Sequence, residues 1–132
     1  MLITEYYANQ EIFITGATGK YYKNLIQMIF RITITIIRLG FLGKSLIEKL
    51  LRDCQKIKII YILMRSRKTK NINERFEDYK KDNVFDRIRQ ECPHVLNKLY
   101  PIEGDGNELG LGIKESDLEL IQNVGIIFHM AA

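Results

Sequence analysis

The sequence predicts a doubly wound α/β domain built on a parallel sheet. Three observations point to it. Short β-rich apolar runs alternate with amphipathic helical stretches. The first of these runs stops at a glycine-rich turn, Gly16-Ala17-Thr18-Gly19. A later run, Lys58 to Met64, is almost continuously apolar, as a strand covered on both faces must be.

Glu11 to Thr15, Glu-Ile-Phe-Ile-Thr, supplies the first strand. Leu42 to Cys54 follows as a helix, with Leu46, Ile47, Leu50 and Leu51 on one face and Lys44, Glu48, Lys49 and Arg52 on the other. The second strand is Lys58 to Met64, ending in Arg65-Ser66-Arg67-Lys68. Phe76, Tyr79, Val84, Phe85 and Ile88 then mark one or two amphipathic helices, stopped near Pro93. Leu99 to Glu103 is a third strand, and Pro101, which cannot donate to a ladder, places it at a sheet edge or a strand entry. A capping box of Ser116 and Glu119 starts a further helix, and Val124 to His129 forms the fourth strand.

At 132 residues and 46% hydrophobic content, the chain can bury one core, which argues for one domain or a piece of one and against disorder. The net charge of +4 comes from bases interleaved with acids, the pattern of a solvated surface and not of a nucleic-acid footprint. Cys54 and Cys92 form no CxxC pair and have only His94 and His129 for company, so reduced thiols in a cytosolic setting are expected and no metal site. The N-terminus lacks the basic stretch and apolar run of a secretory signal.

Dinucleotide-binding turns use glycines to turn tightly, to approach a pyrophosphate and to pack helix on strand. Thr15, Gly16, Thr18 and Gly19 begin such a turn, but the third glycine is displaced by residues 20–40. Excising those 21 residues joins Thr15-Gly16-Ala17-Thr18-Gly19 to Phe41-Leu42-Gly43-Lys44, a complete G-x-x-G-x-x-G fingerprint opening into the helix. Backbone N–H groups after Gly19, aided by the helix dipole, are the expected pyrophosphate cradle. The interruption is expected to weaken cofactor binding. A retained intron or gene-model error is the expected origin, since Gly19-Lys20-Tyr21 and Leu39-Gly40 can be encoded by splice-donor and splice-acceptor signals; transcripts that uniformly retain the segment would refute it. A membrane segment fits less well: Arg31 and Arg38 would each cost ~2.5–3.5 kcal/mol near a bilayer centre, and the Ile-Thr alternation of residues 32–37 suits a strand or a sticky loop.

In NAD-binding versions of this fold an acidic residue after the second strand accepts from the ribose hydroxyls. Here Arg65, Arg67 and Lys68 stand there instead, which favours NADPH, because guanidinium groups bind a 2′-phosphate through charge-assisted hydrogen bonds. The plainer explanation is a solvated basic turn.

The joined fingerprint, with Phe85-Asp86-Arg87, Glu91-Cys92-Pro93, Pro101-Ile102-Glu103-Gly104-Asp105 and Phe128-His129-Met130-Ala131-Ala132, resembles insect fatty acyl-CoA reductases, members of the extended short-chain dehydrogenases. The resemblance covers Glu11 to Ala132 apart from the interruption. It implies that the chain is the N-terminal part of one NADP-binding Rossmann domain, incomplete after its fourth strand. It implies too that Asp105 accepts from the adenine amino group and that Ala131 borders the cofactor, with no catalytic role for His129. The family reduces a fatty acyl-CoA to a fatty alcohol with NADPH, using a Tyr-x-x-x-Lys pair. None of the seven tyrosines has a lysine four positions on, so no catalytic residue is assigned and the chain alone is expected to be inactive. The resemblance also implies a cytosol-facing protein on the endoplasmic reticulum or peroxisome, attached through regions outside this chain. Two other functions compete: another extended short-chain dehydrogenase such as an epimerase, which the basic stretch after the second strand disfavours, and a non-catalytic dinucleotide-binding module.

Overall fold

Strands β1 (Glu11–Thr15), β2 (Thr33–Thr35), β3 (Ile59–Met64), β4 (Leu99–Glu103) and β5 (Ile126–His129) form one sheet in the order β2-β5-β1-β3-β4, and every pairing is parallel. The computed structural model describes residues 1–15, 33–35, 41–105 and 108–129, and the side chains of these except 15, 33–35, 41, 42 and 129. The predicted strands are all present. Lys58 stays outside β3, and the last strand begins at Ile126, two residues later than expected. β4 lies at the sheet edge, where Pro101, paired with Ile62, removes no ladder bond that a further neighbour would need.

A period-2 alternation divides the strand side chains between two cores. Ile12, Ile14, Ile60, Ile62, Ile126 and Phe128 join one cluster, in which Ile47, Leu50 and Leu51 of α2 (Phe41–Asp53) also sit. Tyr79 of α3 (Ile72–Lys80) and Ile88 of α4 (Asp86–Glu91) complete its helical cover. Phe13, Tyr61, Leu63, Ile102 and Ile127 face the other way, into a smaller cluster closed by Leu111, Ile113, Ile121 and Val124. Both faces of the sheet are thus covered, as a doubly wound fold requires. α2 packs on β1 and β3 as their crossover helix, although 25 residues separate Thr15 from Phe41.

Two local signals were misread or missed. The helix α5 (Glu115–Leu120) has Lys114 as its N-cap and no side-chain cap, so Ser116 lies inside it and the expected Ser116–Glu119 box does not form. A capping box does form at α3, where Asn71 accepts from the Glu74 N–H at 3.0 Å and the Glu74 carboxylate accepts from the Asn71 N–H at 3.0 Å. The expected stop near Pro93 holds: the residue opens a 3-10 turn, Pro93–Lys98, whose fixed φ suits a first helical position. A short helix α1 (Ile3–Tyr6) precedes β1, and within the segment 20–40 residues Thr33–Thr35 pair with β5.

Candidate functional site

Parallel pairing brings the carboxyl ends of β1, β3, β4 and β5 to one edge of the sheet, with Thr15 in register with His129 and Met64 with Glu103. The order also reverses around β1: β3 lies on one side and β5 on the other. Crevices at such a switch point, outside the carboxyl ends of the strands, are where open α/β sheets hold ligands. Each sequence-predicted site residue among the described ones ends or follows one of these strands or opens α2.

Thr15 ends β1, and Phe41, Leu42 and Gly43 form the first turn of α2, with Gly43 buried. Gly16, Thr18, Gly19 and Ala131 lie outside the described residues. Arg65 and Asp105, forty positions apart, meet: Arg65 Nη1 donates to Asp105 Oδ2 at 3.3 Å across the ends of β3 and β4. Both line a cavity of about 230 Å³ together with Ser66, Gly104, Glu108, Gly112 and Lys114. Arg67 and Lys68 are exposed, in a turn closed by a two-way backbone bridge between Arg67 and Lys70.

A further basic group was not anticipated. Arg75 in α3 is half-buried, and its pKa is lowered, first by desolvation and then by the positive charges of Arg67 and Arg65. Arg75 therefore lies within electrostatic reach of the basic turn after β3, where a nearby anion would favour its charged form. The sequence did carry a signal: the Asn71-x-x-Glu74 box fixes the start of α3 and so brings Arg75 into its first turns, beside the basic stretch.

The loop after β4 is held tightly. The Asp105 N–H donates to the Leu111 carbonyl at 2.7 Å, and the Glu108 N–H to the Asp105 carbonyl at 3.0 Å. Gly110, Leu111 and Gly112 have φ of 60°, 61° and 58°, a left-handed run that the non-glycine Leu111 enters at a cost, held there by its burial. Gly104 is obligatory in this packing, since a Cβ there would stand 2.5 Å from the Leu111 oxygen and 2.6 Å from Leu63 Cδ1.

The other end of the site rests on α2. The Lys44 ammonium pairs with Asp82 and lies over the Tyr79 ring, 5.6 Å from its centroid. Asp82 also caps the 3-10 turn Asn83–Phe85, accepting from the Val84 N–H at 3.0 Å. These contacts, Lys44 first, hold the Asp82 carboxyl below its usual range. Arg89 donates to the carbonyls of Lys80 and Asp82 and ties α4 to the same junction.

A family model of NAD-binding domains, described as male sterility protein, matches residues 38–132. The chain belongs to this family. Its match begins close to the third glycine of the fingerprint and runs through α2, the basic turn, the Asp105 loop and β5, so the site residues from Phe41 onward lie within an NAD-binding domain of the male sterility type. Among curated relatives, a Drosophila melanogaster protein, CG8306, provisionally named a fatty acyl-CoA reductase, is 39% identical over 132 residues, covering 98% of this chain and 22% of its own length. Fatty acyl-CoA reductase 2 of Mus musculus is 35% identical over 132 residues, covering 99% and 22%. Fatty acyl-CoA reductase 1 of Homo sapiens is 35% identical over 131 residues, covering 98% and 21%. The chain spans about a fifth of the length of these relatives. The cofactor class of the male sterility family is a nicotinamide dinucleotide. No helix among the described residues is long and apolar enough to cross a membrane.

Proposed function

We propose that the chain is the cofactor-binding part of an NADPH-dependent fatty acyl-CoA reductase, interrupted by the segment 20–40. The observation that carries the choice of NADPH is the basic turn Arg65, Arg67 and Lys68 directly after β3, with Arg75 within its electrostatic reach, where an NAD-specific domain places a carboxylate. Such a donor set suits a dianionic 2′-phosphate, with Lys68 adding charge from the turn. Asp105 at the end of β4 suits the adenine amino group. Thr15, Gly16, Thr18 and Gly19 with Phe41, Leu42 and Gly43 would hold the pyrophosphate, and Ala131 would leave room beside the nicotinamide half. The bound cofactor supplies hydride; the residues of this chain bind and orient it.

The fatty acyl-CoA substrate is inferred from the named activity of the relatives. The reducing machinery and any attachment to the endoplasmic reticulum or peroxisome would then belong to regions outside this chain. That the family match starts at residue 38 supports treating most of 20–40 as an insertion. So does α2, which takes up the crossover position despite it.

Titration of the chain with NADPH and NADH tests this reading. NADPH is expected to bind more tightly, and Arg65→Glu to reverse the order. An unchanged preference in Arg65→Glu would remove Arg65 from the site. A second protein lacking residues 20–40 is expected to bind NADPH more tightly than the full chain; equal affinity would show that the segment does not disturb the cradle.

A further inference from the structure

Two residues assigned to different parts of the cofactor are bonded to each other. Arg65 is 65% exposed in its side chain and Asp105 23%, and both line the cavity at the ends of β3 and β4. The two anchors differ in freedom. Asp105 sits in a loop fixed by its own N–H to Leu111, by the missing Cβ of Gly104 and by the left-handed turn at 110–112. Arg65 is the first residue past β3, and its long side chain is free to reorient. The carboxylate is thus a fixed anion bonded to a mobile arginine, and that arginine in turn lies within electrostatic reach of Arg75.

We propose that Asp105 is a specificity-determining residue acting as the internal counter-ion of Arg65: its carboxylate holds the guanidinium until a 2′-phosphate takes it over and leaves the carboxylate to the adenine amino group. This rests on the reading of the site given above and adds a coupling to it. Phosphate and adenine recognition become linked through one ion pair. By linkage, a ligand that captures Arg65 improves the site for adenine, and an adenine that captures Asp105 improves it for phosphate. A dinucleotide without the 2′-phosphate must compete with Arg65 for Asp105 and has nothing to offer the guanidinium in return.

The test uses inorganic phosphate as a probe with no base, followed in the 132-residue chain through the Arg65 Nε–H resonance, assigned by its loss in Arg65→Gln. In Asp105→Asn the guanidinium is released, so phosphate is expected to bind about two- to fivefold more tightly than in the wild type at low salt, the scale of an exposed ion pair. The difference is expected to shrink as salt screens it. Asp105→Ser serves as a second variant and is expected to shift phosphate affinity in the same direction. In the wild type, saturating phosphate is expected to tighten adenosine binding by a similar factor, a coupling that disappears in Asp105→Asn. Phosphate affinity that is unchanged or weaker in both Asp105 variants overturns the counter-ion role while leaving the cofactor assignment standing. Unchanged phosphate affinity in Arg65→Gln, read by calorimetry, removes Arg65 from the phosphate site and the proposed coupling with it.

Discussion

The two faces of the sheet are built differently. Among the described residues one is covered by α2, α3 and α4, and it contains the larger cluster, with Phe85, Ile88 and Val95 fully buried. The other is closed by a turn, a short helix and the approach to β5, and its cluster reaches the surface at the loop that carries Asp105. Stability is expected to depend more on the first face. The first face also supplies Arg75 and the opening of α2, whereas the placement of Asp105 depends on the second, where close backbone packing takes the place of bulk. Surface-fixed loops on a rigid sheet are where ligand-binding groups usually lie.

Truncation on the thick face is expected to have the largest effect. Phe85→Ala removes a fully buried ring that packs on Tyr79 at 5.6 Å between centroids and is expected to cost about 3–5 kcal/mol, read from urea unfolding. A loss below about 1 kcal/mol would show that the two faces share stability evenly. On the thin face, Gly104→Ala drives a methyl into the Leu111 carbonyl and is expected to cost about 1–3 kcal/mol. It is expected to weaken NADPH binding more than Phe85→Ala does at temperatures where both variants remain folded. Equal effects on binding would sink the distinction between the faces.

Leu111 gives a sharper contrast. Because its φ is 61°, Leu111→Gly is expected to be more stable than Leu111→Ala by about 1 kcal/mol, the reverse of the usual order, in paired thermal melts. The smallest effect belongs to the junction between α2 and α3. Asp82→Asn is expected to cost about 0.2–1 kcal/mol, because Lys44–Asp82 is a partly exposed pair. The Asp82 pKa is lowered in the fold, so its contribution is complete above the unfolded value near ~3.9 and is lost as pH falls through the folded value. The gap between wild type and Asp82→Asn should therefore close below about pH 4 in acid-unfolding curves. A gap that persists there would assign the effect to packing.

Much of the fold was legible because strand and helix periods record which side of each element is buried. Ile59–Met64, Leu99–Glu103 and Phe41–Asp53 fall within a residue of expectation for that reason. α5 illustrates the opposite case. Ser116 and Glu119 have capping spacing, but the chain enters the helix two residues earlier, at Lys114, where Ile113 is already buried beneath the sheet. α1 was missed because four residues with no buried side chain leave no periodic trace. In the site, Arg65 and Asp105 were recognised one at a time, whereas Arg75 was lost in a run of charges.

By itself the sequence determined the alternation of strands and helices, the glycine fingerprint split across residues 20–40, and a basic group where a carboxylate would select NAD. Each is a local pattern, written in spacing along the chain. Only the tertiary structure decided that β3 and β4 are neighbours, so that Arg65 meets Asp105, that Arg75 comes within electrostatic reach of the basic turn, and that Leu111 turns left-handed to hold the loop. Those contacts depend on strand order and on which backbone groups find partners across the sheet, and no spacing between residues forty positions apart records that.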